Sequence, residues 1–366
     1  MSSGYSPSAG PPAPSFGLMP LESIHNPALR ETLVSFLVAT FRLTPEAPFV
    51  QPALLRWKYD EPRPDCSGPR SFIWREGDGI AAHACMWPVT YTLLSGDVTG
   101  SYLLDWAASR RSAGAGVKLL RSLARQCDTL FAVGGSADTR HILPKLGYRH
   151  ICDLRLYARV LRPWRQFQTD PFPRRWKAPL RLARNVLWSL APMPQAPRDW
   201  SDRRIEAFES SAQPLFDARA DSAFPCSRRT PELMNYYLRC PSVVFTAALL
   251  LRAGVPFGWY VLSRTGGQVR VADIWVNSGS AADWSAGYIL ALRTASGDPE
   301  ACELVASASI PPAVEGVASA GLRFHHSEPV FVLDPRRMFA DAPPPNVSFL
   351  ESDLAYGFDP AYPYLT

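Results

Sequence analysis

The residues of this chain best suited to chemistry lie between Gly100 and Gly116, in the stretch GSYLLDWAASRRSAGAG. An apolar run, Tyr102-Leu103-Leu104-Asp105-Trp106-Ala107, stops at Arg110-Arg111 and passes into Ser112-Ala113-Gly114-Ala115-Gly116, after which Val117, Leu119, Leu120 and Leu123 set a helical rhythm. The pattern predicts a strand, a glycine turn and a helix start. The first amides of a helix have no acceptors behind them and the helix dipole adds partial positive charge, so such a turn suits a phosphate. Glycines there let the backbone approach a phosphate with no Cβ in the way. Two other phosphate loops are excluded by spacing. A dinucleotide fingerprint needs a third glycine where Leu119 stands, and a P-loop needs Gly-Lys-Ser/Thr.

Asp105 is the acidic residue of that strand. A carboxylate isolated in an apolar strand has its pKa raised by desolvation, which suits a general base. A structural aspartate capping a neighbouring loop is the alternative. His83, Tyr148 and Tyr157 are weaker candidates, each also readable as a satisfied core or rim residue. Seven cysteines without a CxxC pair read as reduced, buried thiols, and of the six histidines only His325-His326 are close together, facing opposite ways on a strand. No metal is expected.

The elements around the turn follow from local signals. Asn26-Pro27 caps and starts a helix to about Phe41, with Leu29, Leu33, Phe36 and Leu37 at helical spacing. A helical turn over 54–59 is stopped by Pro62 and Pro64. Residues 71–74 and 80–88 flank Glu76-Gly77-Asp78-Gly79 as a β-hairpin, and a short strand covers 91–94. Beyond the turn come a helix over 117–126, a strand over 129–133, Gly134-Gly135, a helix over 137–146 ending at Gly147, and a β-rich stretch to Leu161.

In this order, Arg111-Ser112-Ala113-Gly114-Ala115-Gly116 resembles the acyl-CoA motif of the GNAT superfamily of N-acyltransferases, Gln/Arg-x-x-Gly-x-Gly/Ala. Leu146-Gly147-Tyr148 is similar to the Leu-Gly-Phe that follows the motif about 30 residues later in that family. The resemblance implies an acyl-CoA substrate. Its pyrophosphate would lie on Arg111, Ser112, Ala113, Gly114, Ala115, Gly116 and Val117, and its pantetheine arm along Trp106 and Ala107. The thioester would then sit near Asp105. It also implies departures, because the tyrosine with which many such enzymes protonate the leaving thiolate corresponds to Leu143 here, and a recurrent asparagine to Ser136.

The second half repeats the order of the first. Thr230-Pro231-Glu232 starts a helix, residues 243–251, 256–263 and 268–276 form a meander, and a helix over 283–295, a strand over 303–306, a further helix and Ala320-Gly321-Leu322-Arg323 complete it. Asp105-Trp106 matches Asp273-Ile274-Trp275, and Leu55–Tyr59 matches Tyr236–Arg239. The expected fold is α/β (α+β): two tandem GNAT-like domains, each a mixed, mostly antiparallel sheet flanked by helices. The spans are a Pro/Ser/Gly-rich tail (1–22), an N-terminal domain with the acyl-CoA motif (23–162), a basic connector (163–200), a C-terminal domain without it (201–340) and a tail (341–366). Where the second copy needs its phosphate turn it has Asn277-Ser278-Gly279-Ser280-Ala281-Ala282-Asp283, whose aspartate would repel a pyrophosphate.

The connector holds a potential amphipathic helix near residues 179–190, with Leu180, Ala183, Leu187 and Leu190 on one side and Arg181, Arg184 and Trp188 on the other, preceded by Arg174, Arg175 and Lys177. Two readings stand: a helix docked on the core, or peripheral contact of residues 174–190 with an anionic membrane surface or a polyanion. With 366 residues, 47% hydrophobic content, a net charge of +5 and neither a signal-peptide pattern nor an apolar stretch of bilayer length, the chain reads as a cytoplasmic two-domain protein. The expected activity is transfer of an acyl group, acetyl in the first instance, from acyl-CoA to an amine on a sugar or small metabolite. A cell-envelope or exopolysaccharide precursor would fit the basic connector, and nucleic acid is not an expected partner. A Fem-type aminoacyltransferase and a non-catalytic GNAT-fold binding protein are the alternatives.

Overall fold

The computed structural model describes residues 22–23, 27–171 and 177–366. The N-terminal tail short of Glu22, the Asn26 cap, and Arg174 and Arg175 lie outside them.

The first half runs β1 (Glu22–Ser23), α1 (Pro27–Phe41), α2 (Pro52–Leu55), β2 (Ser71–Glu76), β3 (Gly79–Leu93), β4 (Gly96–Ala108), α3 (Ala115–Leu123), β5 (Thr129–Val133), α4 (Ala137–Lys145) and β6 (Arg149–Val160). Helices α5 (Pro163–Thr169) and α6 (Ala178–Ser189) lead to the second half. It runs β7 (Trp200–Ile205), α7 (Gln213–Ala220), β8 (Cys226–Ser227), α8 (Pro231–Leu238), β9 (Val244–Arg252), β10 (Val255–Thr265), β11 (Gln268–Val276), α9 (Ala281–Gly297), β12 (Glu303–Ala308), α10 (Pro311–Ser319) and β13 (Arg323–Leu333). Local signals set these bounds. Thr230 accepts from the Leu233 amide with Pro231 in the first turn of α8, and Ser136 likewise caps α4 through Thr139. One boundary differs from expectation: β3 passes through Pro88, beyond its last pairing with β2 at Cys85, where only β4 flanks it. A strand tolerates proline where one side is unpaired.

The halves do not close as separate sheets. The strand order is β1-β2-β3-β4-β5-β13-β6-β12-β11-β10-β9-β7, so the closing strand of each half pairs with the other half's sheet. β13 lies antiparallel to β5, β6 antiparallel to β12, and β6 and β13 pair in the middle. The wide turn Arg56–Asp60 that follows α2 meets α8 across this junction. Trp57 stacks on Tyr236 at 5.1 Å, and the two residues bond reciprocally, the indole to the Tyr236 carbonyl and the phenol to the Trp57 carbonyl.

Each half contains one parallel pair, and each pair separates early. β4 and β5 pair only from Gly100 to Tyr102, and β11 and β12 only from Gln268 to Arg270. Asp105 and Asp273 each stand three residues past the last paired position. Beyond Tyr102 the first pair opens into a cleft.

Residues 341–366 are not an appendage. Val347, Phe349, Leu350, Ala355 and Tyr356 are buried, and Tyr356 packs edge-on against Trp57. Helix α6 has the amphipathic pattern expected but the opposite orientation to a helix docked by its apolar row: Asn185 is buried while Leu180, Leu187 and Leu190 are exposed.

Candidate active site

The cleft between the diverging strands has a volume of about 650 Å³. Leu103 to Trp106 of β4 line one side and Ala132 to Ser136 the other. Phe41 comes from the end of α1, Phe49 from the short turn Pro48–Val50 before α2, and Asp353, Phe358 and Tyr362 from the C-terminal segment.

Asp105 occupies a backbone conformation rare outside glycine, φ 52°. It lies at a bulge, since His83 opposes Ala107 and Cys85 opposes Leu104, leaving two residues of β4 opposite one of β3. The bulge aims the carboxylate at the turn Arg56–Asp60, where Lys58 Nζ sits 2.8 Å from Oδ1 and 2.6 Å from Oδ2. The Tyr59 hydroxyl donates to Oδ2 at 2.7 Å. His83 Nδ1 meets the Asp105 carbonyl at 3.1 Å, and Ser71 Oγ meets Nε2 at 3.0 Å. Burial pushes the His83 pKa down to about 4, against the pull of Asp105, so the ring is neutral. With Nδ1–H donating to a carbonyl, Nε2 accepts from Ser71. Burial also works against the Lys58 ammonium, but the Asp105 charge, with Asp353 behind it, outweighs this and holds Lys58 above its ordinary value. Asp105 is thus a carboxylate locked into a buried ion pair.

A second carboxyl in the cleft gave no signal in the sequence. Asp353 is half-buried. Burial raises its pKa, the Asp105 charge adds to this and Lys58 opposes it. Its Ser352 neighbour caps the short turn Asp353–Ala355 through the Leu354 amide.

Trp106 joins the cleft to the glycine turn, its indole donating to the Gly116 carbonyl at 3.2 Å. A Cβ on Gly116 would lie 2.9 Å from that of Ala108, so this glycine seats α3 against β4. Gly114 has the other role: it takes φ +79° at the helix N-cap, and a Cβ there would meet nothing within 4 Å. The Arg111 and Ser112 amides are tied back to Ser109, and that of Ala115 to Ser112. Among the described residues no backbone carbonyl outside the helix accepts from the amides of Ala113, Gly114, Gly116 and Val117. Arg110, Arg111 and Lys118 stand exposed beside them. This is a cradle that fits an anion. Ala107 is buried in β4 beside Trp106.

Tyr148 lies elsewhere. It is buried with Leu119, Leu143 and Phe331 in the core under α3, its hydroxyl lacks a partner among the described residues, and it does not line the cleft. Tyr157 is buried in β6. Leu143 is wholly buried in the same core as Tyr148, whereas Ser136 lines the cleft.

The second copy uses the same positions for structure. Asp273 accepts from the Trp259 indole at 2.9 Å and pairs with Arg229 at 3.4 Å; Arg229 also binds Glu351. Arg229, with Arg219, holds the Asp273 carboxyl below its ordinary value despite burial. At its helix start, Ser278 accepts from the Ser280 amide and donates to Asp283 at 2.6 Å, so side chains occupy the turn.

Comparison with solved structures shows the GNAT fold, present as two GNAT-like units in tandem. A tandem GNAT protein from the clavulanic acid biosynthesis pathway superposes with a TM-score of 0.55 at 12% identity, over 86% of this chain and 97% of that one. A GCN5-related N-acetyltransferase from Anabaena variabilis gives 0.56 at 10% identity over 87% and 74%. A probable N-acyltransferase from Enterococcus faecalis gives 0.54 at 12% over 86% and 72%. No family model and no curated protein sequence matches.

Proposed function

We propose that this chain is an acyl-CoA-dependent N-acyltransferase, in the first instance an acetyltransferase, with one active centre in its N-terminal half. The observation that carries this reading is the row of amides at Ala113, Gly114, Gly116 and Val117 without a backbone acceptor among the described residues, with a left-handed Gly114 capping the helix that follows a splayed strand pair. The acyl-CoA pyrophosphate would rest there, with Arg111 and Ser112 beside it, and the pantetheine arm along Trp106 and Ala107. The acceptor is an amino group of a sugar or small metabolite, a cell-envelope or exopolysaccharide precursor among them, entering past Phe41, Phe49 and Tyr362. The side chains that fill the equivalent turn at Asn277 to Asp283 leave the second half to support the first. The cytoplasm is where such a thioester is available.

In the reaction the amine nitrogen attacks the thioester carbonyl, a C–N bond forms, the C–S bond breaks and the ammonium gives up one proton. Asp353, with its raised pKa and its place in the cleft, suits the role of acceptor for that proton. Asp105, committed to Lys58 and Tyr59, suits a positioning role that fixes the bulge beside the thioester. The thiolate takes its proton from water at the cleft mouth. Titration calorimetry with acetyl-CoA and desulfo-CoA tests the cofactor assignment. Wild type should bind both and Gly114→Glu neither, since a carboxylate in the cradle repels phosphate; Gly114→Ala, which carries the same strain of a side chain at φ +79° without the charge, should still bind. Absence of binding by wild type, or binding indifferent to the glutamate, overturns it.

A further inference from the structure

Helix α6 is turned inside out. Its buried side is polar: Asn185 donates to Gln166 Oε1 at 2.8 Å, and Arg181 pairs with Asp170 at 2.5 Å. Its outward side is a row at i, i+3, i+7 and i+10, Leu180, Ala183, Leu187 and Leu190, the leucines 64%, 68% and 72% exposed. Val186 and Met193 widen the patch. Helices on globular cores turn such a row inward. A contiguous apolar surface left in water marks an interaction site.

The charges beside the row indicate the occupant. No residue from 178 to 190 is acidic. Trp188 lies between two guanidiniums, Arg184 at 4.4 Å and Arg323 at 4.9 Å from its ring, and neither arginine forms an ion pair among the described residues. A soluble polyanion would engage the arginines and leave the leucines in water. An anionic bilayer surface meets both, with leucines entering the acyl boundary while arginines and tryptophan stay at the phosphates. We propose that α6 docks the protein peripherally on an anionic phospholipid surface, its leucine row toward the lipid. Tyr362 lines both the cleft and the groove of Lys177, Arg181, Leu182 and Asn185 beneath α6, so the helix and the cleft share a wall. The docking itself requires no acyl transfer.

The test is co-sedimentation of the full chain with vesicles of phosphatidylcholine alone and of equimolar phosphatidylcholine and phosphatidylglycerol. Binding is expected to the mixed vesicles only, weakening as salt shortens the screening length. Leu187→Asp/Leu190→Asp should reduce it by about tenfold or more, with thermal midpoint and acetyl-CoA affinity unchanged because both side chains stand in water. Arg184→Glu should weaken it in the same direction. No sedimentation with the mixed vesicles, or sedimentation that the double substitution leaves intact, overturns the proposal. So does a dimer in light scattering that the same substitution dissolves, which would give the face to a second copy of the chain. Each readout is separate from turnover, so failure here is distinguishable from failure of the acyltransferase reading.

Discussion

Replacing Lys58 by Met isolates the buried ion pair on which the cleft is built. Both partners are sealed, with side-chain exposures of 2% and 1%. The variant would leave the Asp105 carboxylate buried with the Tyr59 hydroxyl as its remaining donor, on a residue already at φ 52°. Breaking one side of a buried pair costs about 3–5 kcal/mol, because the remaining charge is uncompensated. At an unfolding entropy near 2.1 cal/mol/K per residue, that is a fall of about 4–7 °C in the thermal midpoint if the chain unfolds as one unit. Scanning calorimetry at pH 7 measures it. Lys58→Met/Asp105→Leu, which removes both charges, should recover at least half of the loss, since a pair replaced by apolar groups is often neutral. The pH dependence is fixed by sign. Lys58 titrates above its ordinary value in the folded state, so its contribution is complete below the unfolded value of about 10.4 and is lost as pH rises through the folded one. The gap between wild type and Lys58→Met should therefore persist to about pH 9 and narrow only above. A midpoint for Lys58→Met within about 1 °C of wild type, well inside the fall expected for a broken buried pair, would refute the assignment of this pair as structural.

Asp353→Asn should lower kcat/KM at neutral pH by about 10²–10⁴-fold, the usual contribution of a general base, with acetyl-CoA affinity unchanged; a thiol-release assay that finds normal turnover removes Asp353 from the mechanism. His83 is neutral when folded, with its pKa lowered to about 4, and unfolding restores the ordinary value near 6.5. Its share of stability is present above pH 6.5 and is lost as pH falls toward 4, by about 2–3 kcal/mol at pH 4.5. Urea titrations should show the advantage of wild type over His83→Gln shrinking by that amount from pH 7 to pH 4.5, and a constant gap would count against a neutral buried imidazole.

How much was legible in the sequence depends on the range of the interaction that decides each feature. The glycine turn, the Thr230-Pro231 helix start and the meander turns at Gly254 and Gly266, φ 80° and 56°, are local conformational demands that residue types announce. The aspartates Asp105 and Asp273 could be matched because repetition is itself a sequence property. The fates of the side chains were not legible. Lys58 lies 47 residues from Asp105, and nothing in the spacing shows that a wide helical turn and a strand bulge aim them at each other. Asp353 is remote in sequence from every element of the first half and reaches the cleft only because the C-terminal segment packs back across the junction.

Two further features belong to the tertiary structure alone. Pairing β13 with β5 and β6 with β12, rather than each with its own half, satisfies the same edge amides and carbonyls, so β propensity does not distinguish them. The direction in which α6 presents its leucines depends on whether Asn185 and Arg181 find partners in the core, and Gln166 and Asp170 supply them. The order of elements, the duplication and the glycine turn were set locally along the chain, since short-range sterics and periodicity fix these. The tertiary structure decided which carboxyl is sealed in an ion pair, which one lines the cleft, and which face of α6 meets solvent. These depend on distances between residues far apart along the chain, where burial and partner charge set the energy.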